Sequence, residues 1–74
     1  MERIPQHIID QMYESLEGKR IFYKGVGGRC DYFGYNEFFP QWDLQVTIDR
    51  MPISNVDIKE IKLIGEYGQL SEWV

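Results

Sequence analysis

A chain of 74 residues allows one domain with a small core, and a composition that is 43% hydrophobic and 15% aromatic can build it, which excludes a disordered chain. Twelve carboxylates against eight cations give a net charge of −4, which disfavours direct nucleic-acid binding and anionic membrane surfaces, since both require a basic face. One cysteine excludes an internal disulfide, and with a single histidine it falls short of the usual structural zinc sets, so no metal and no cofactor are expected.

The first residues, MERIPQHIIDQMYE, contain no apolar run of signal-peptide length, and no segment approaches a membrane span. The expectation is a cytoplasmic protein, one domain over residues 1–74. Residues 5–17 read as a helix. Pro5 suits a first helical turn, Ile8, Ile9, Met12 and Leu16 recur at spacings of three and four, and Gly18 fits just past the end. Residues 19–24, KRIFYK, are rich in β-branched and aromatic types and read as a strand. The glycine cluster over 25–28 then reads as a hairpin turn, with residues 29–35 returning as a second strand. Residues 36–41 form a connection that carries Phe38 and Phe39.

The clearest pattern follows. Trp42, Leu44, Val46 and Ile48 alternate with Asp43, Gln45, Thr47 and Asp49, a period of two that describes a strand with one wet face. Asp49 and Arg50 can turn the chain into a short strand over 51–53, where Pro52 restricts it to an edge or a bulge. Val56, Ile58, Ile61 and Leu63 scatter around a helix but fit a strand pair broken by one tight helical turn. Residues 65–74 form a polar tail ending in Trp73 and Val74.

The stretch Leu16-Glu17-Gly18-Lys19-Arg20-Ile21 and the segment from Leu44 to Ile64 give residues 19–64 an order that resembles the Src-homology-3-like and Sm-like small barrels. The resemblance implies an α+β, mainly β fold: a small twisted antiparallel barrel of about five strands, with the N-terminal helix packed on it. It also implies a last strand after a one-turn helix, as Val56-Asp57-Ile58 followed by 60–64 would supply. A fold of this kind carries no function by itself.

Each motif that could carry chemistry has a plainer role. Gly25-Val26-Gly27-Gly28 lacks the third glycine of a dinucleotide fingerprint, since position 30 is Cys30, and no Gly-Lys-Ser/Thr follows as in a P-loop. As an RNA-recognition strand, Lys24-Gly25-Val26-Gly27 has Val26 where an aromatic belongs. Cys30 as a nucleophile would need a base, and His7 is the only histidine; a small buried residue is the commoner role. Asp31, Glu37, Asp43 and Asp49 match no calcium loop.

The aromatics remain. Tyr32 and Phe33 are adjacent, as are Phe38 and Phe39, so a strand would send neighbours to opposite faces, and exposed rings mark an interface. The expected function is a small non-enzymatic protein-binding module. It would act on a protein partner or a second copy through Tyr32, Phe33, Tyr35, Phe38, Phe39 and Trp73. The alternative is an acidic inhibitor that occupies a nucleic-acid-binding site of another protein, motivated by small size and net charge.

Overall fold

A computed structural model describes residues 4–36, 38 and 43–73. Helix α1 spans Gln6–Leu16. Six strands follow: β1 (Arg20–Tyr23), β2 (Val26–Tyr35), β3 (Leu44–Ile48), β4 (Met51–Ser54), β5 (Ile61–Ile64) and β6 (Leu70–Glu72), with a 3-10 turn at Ile58–Glu60 leading into β5. All neighbouring strands pair antiparallel, in the order β4-β3-β2-β1-β5-β6. The fold is therefore α+β, mainly β. The sheet is open: β4 and β6 are its two ends and do not pair with each other.

Pro5 stands just before α1 with extended backbone, and its carbonyl accepts from the N–H of Ile8 and Ile9 at 3.0 and 3.1 Å, satisfying two of the donors that a helix start leaves over. Ile9 and Leu16 are the buried residues of the helix, with Ile8 and Met12 half-buried beside them. Gly18 ends it at φ +74, a conformation that glycine adopts without a Cβ penalty.

The β1–β2 turn lies one residue earlier than the glycine cluster suggests. Tyr23 pairs with Val26, so Lys24 and Gly25 alone make the turn, at φ 42 and 88. Two central residues with positive φ match the right-handed twist of the flanking strands. Val26, Gly27 and Gly28 therefore belong to β2. The β3–β4 turn uses the same conformation without glycine, Asp49 and Arg50 standing at φ 49 and 68. Two hydrogen bonds to the neighbouring strand hold it: the Arg29 N–H donates to Asp49 Oδ1 at 2.9 Å, and the Arg50 N–H donates to Asp31 Oδ2 at 2.8 Å.

A bulge divides β2. Cys30 pairs with Ile48 and Tyr32 with Thr47, so Asp31 is one residue too many for its partner strand. The extra residue reverses the alternation: Cys30 and Phe33, three apart, are both buried. Beyond Arg29 the strand also loses β1 as a neighbour, and α1 packs there, the Tyr13 hydroxyl donating to the Asp31 carbonyl at 2.9 Å.

The core comprises Ile9, Leu16, Ile21, Tyr23, Cys30, Phe33, Leu44, Val46, Ile48, Val56 and Ile61. Leu44, Val46 and Ile48 are its share of β3, as the period of two requires. The strand begins at Leu44; Asp43 turns out of it at φ 57, and Trp42 lies outside the described residues. Gln45 and Thr47 are half-buried where a wet face was expected. Pro52 sits in β4, an edge strand, where its missing N–H costs least. The polar tail adds a strand: β6 pairs with β5, Ile64 opposite Leu70, so the described residues hold six strands where about five were expected.

Candidate functional site

The aromatic residues singled out in the sequence divide between the two faces of β2. Phe33 points inward and is 1% exposed. Tyr32, its neighbour, points the other way and packs edge-on against Tyr13 of α1, ring centroids 5.5 Å apart. Gly34 makes room for this. A Cβ there would press on the Tyr32 phenol, whose hydroxyl crosses the strand to donate to the Tyr35 carbonyl at 3.1 Å. The Tyr35 hydroxyl in turn donates to the Ile4 carbonyl at 2.9 Å, tying the end of β2 to the segment before α1.

These contacts frame a shallow pocket of about 220 Å³ lined by Tyr32, Tyr35, Asn36, Phe38 and Gln45. Its polar rim is held in place. Asn36 Nδ2 donates to Gln45 Oε1 at 2.9 Å, Gln45 Nε2 donates to Thr47 Oγ1 at 3.2 Å, and the Phe38 N–H donates to Asn36 Oδ1 at 3.0 Å. Phe38 is 84% exposed, the most exposed phenylalanine among the described residues. Phe39 lies outside the described residues. Tyr32, Tyr35 and Phe38 are thus brought together; Phe33 is not, and neither is Trp73.

Trp73 docks on its own domain from the inner side. Its ring meets Phe33 edge-on at 5.8 Å, and its Nε1–H donates to the Ile58 carbonyl at 3.3 Å. Two shallow grooves flank it, one lined with Met12 of α1 and the other with Ile61 of β5.

Asn36 and Gln45 complete the pocket, and Tyr13 supports Tyr32 beside it, without having been singled out in the sequence. Gln45 stands at an outward position of a regular strand, opposite Gly34, where a polar side chain reads as solvated. The signal available was Tyr-Phe-Gly-Tyr: a glycine amid aromatics marks a place where a ring lies across the backbone.

Cys30 behaves as core. Its thiol is buried, and desolvation, with the nearby Asp31 carboxylate adding to it, pushes its pKa up to about 11. A nucleophilic thiol requires the opposite direction. Desolvation likewise raises the Tyr13 phenol, with Glu17, Cys30 and Asp31 adding to the shift. Among the described residues no three His, Cys, Asp or Glu side chains converge as a metal site, and no helix is long and apolar enough to cross a membrane. No family model, curated protein or solved structure matches this chain, so the functional argument rests on this geometry.

Proposed function

We propose that the chain is a small non-enzymatic protein-binding module that engages a protein partner, or a second copy of itself, through the Tyr32–Tyr35–Phe38 face. The observation that carries this is the conjunction of an exposed phenylalanine with a tyrosine-lined pocket whose amide rim is already hydrogen-bonded in place. Aromatic side chains on fixed backbone lose little conformational freedom on binding and supply the anchors on which interfaces depend. The strand order β4-β3-β2-β1-β5, with a 3-10 turn before β5, supports reading the first five strands as a Src-homology-3-like barrel that β6 extends.

Phe38→Ser tests the reading. The variant keeps the melting temperature of the parent, because the ring it removes is exposed, and weakens association about 5- to 150-fold, the range of an interface anchor. Sedimentation equilibrium reads self-association, and quantitative capture on the immobilised chain reads a foreign partner. Unchanged association in both removes this face from the function.

A second reading, an acidic inhibitor that imitates nucleic acid, draws on Asp10 and Glu14 of α1 and Glu17 just past its end, exposed at spacings of four and three. It ranks lower because the next segment of chain is cationic.

A further inference from the structure

The net charge of −4 conceals a segregation. Residues 18–30 hold four of the eight cations, Lys19, Arg20, Lys24 and Arg29, and none of the twelve carboxylates. These residues are the β1–β2 hairpin and its approaches. Burial fixes which side chains face outward: Ile21 and Tyr23 are in the core, so Arg20 and Phe22 lie on the outer face of the sheet. The register then sets Arg20 directly opposite Arg29, and Phe22 between Gly27 on β2 and Lys62 on β5. Phe22 is half-exposed, and a Cβ on Gly27 would lie 3.5 Å from its ring and 3.6 Å from Ile64 Cδ1, so the glycine keeps the rung low beneath the two apolar side chains.

Like charges directly opposite each other on a sheet face destabilise it. Arg29 has partial relief in Asp31, 4.0 Å from its Nε, but the side chain is 69% exposed. Lys62 lies 3.6 Å from Glu72. Among the described residues Lys19, Arg20 and Lys24 have no ion-pair partner. An anion lying between the two arginines would turn an unfavourable pair into a binding site.

We infer that the outer face of the β1–β2 hairpin, continued onto β5, binds single-stranded nucleic acid, with Arg20, Arg29 and Lys62 on the phosphates and Phe22 stacked on a base. A cationic surface interleaved with an aromatic ring is the general form of a single-strand site. An acidic peptide would satisfy the arginines but offers no π-face to Phe22. The bulk charge disfavours a general binder; locally, Asp31 and Glu72 offset Arg29 and Lys62 only in part, and Arg20 has no carboxylate beside it.

The test is fluorescence anisotropy of a labelled oligothymidylate with the intact chain at about 20 mM salt and upward, with a duplex of the same length and oligoglutamate as competitors. Three phosphate contacts on a single strand, from Arg20, Arg29 and Lys62, predict a log–log salt slope near −2, at about 0.7 per contact. Arg20→Gln combined with Arg29→Gln should remove roughly two-thirds of the slope without lowering the melting temperature, since it relieves a like-charge pair. Phe22→Ser should weaken binding about tenfold and leave the slope unchanged. Gln11→Lys on α1, which adds a cation elsewhere, should change neither. Absence of binding at low salt overturns the inference. So does a slope insensitive to the double variant, or one that rises with Gln11→Lys. Competition by oligoglutamate or duplex equal to that of the single strand, with Phe22→Ser silent, also overturns it and leaves a simple polyanion surface.

Discussion

The two halves of β2 differ more than two separate strands commonly do. Before the bulge at Asp31, residues 26–30 are glycine-rich and flanked by β1, with Gly27 and Arg29 outward and Cys30 in the core. After it, residues 31–35 are aromatic, have β3 on one side and α1 on the other, and carry the pocket. The glycines leave a flat rung open to solvent; the aromatics fill space and close it. One inserted residue separates the two chemistries, because it lets the inward set change from the parity of Cys30 to that of Phe33.

The difference breaks most directly at Phe33. Phe33→Ala should cost about 3–5 kcal/mol, as for a fully buried ring, and denaturant titration should find the domain largely unfolded. A small loss there would mean that the second half of β2 does not anchor the core. Gly28→Ala tests the first half. Its Cβ would strike the Asp49 carboxylate that takes the Arg29 N–H, and Gly28 stands at φ 159, so a loss of about 1–3 kcal/mol is expected in thermal melts. The same change at Gly25, which has open space around it, costs only the positive φ, about 1 kcal/mol.

Alkaline titration probes the buried Cys30 and the half-buried Tyr13 near the bulge. Cys30 is raised from an ordinary 9.0 to about 11, so the folded chain holds that proton more tightly than the unfolded chain does. Its stabilising share is complete below about pH 9 and is lost as the pH rises towards 11. Tyr13, also raised, acts in the same direction. Melting temperature should fall across this window, and Cys30→Ala should flatten the fall. A parallel decline in both proteins would remove Cys30 from the account. An effect as small as that at Gly25 is expected of Tyr13→Phe. It deletes the hydrogen bond to the Asp31 carbonyl, at a cost of about 0.5–1.5 kcal/mol by denaturant midpoint, and leaves the Tyr32 ring contact.

What could be read in the sequence follows from what each element does with its side chains. The α1 stripe and the Leu44–Val46–Ile48 alternation were legible because burial imposes a period on them. The bulge was not, since an inserted residue is defined by the strand opposite and leaves no mark in its own. The first hairpin turn was displaced because three glycines outweigh one lysine as a turn signal, yet Lys24 takes the positive φ. β6 was missed because all three of its side chains are exposed and only its backbone pairing defines it. In the pocket, Tyr32, Tyr35 and Phe38 were legible as ring types. Asn36 and Gln45 were not, because a polar residue on a strand is recognised as a rim only when its partner is known.

The contact between Phe33 and Trp73 also sets an order in time. The two rings stand about forty residues apart in the chain, so on refolding their contact follows the local β1–β2 and β3–β4 hairpins. Closure of the inner side is thus a late, long-range event, slow by its sequence separation. Until then the inner edge of Phe33, between α1 and β5, stays uncovered.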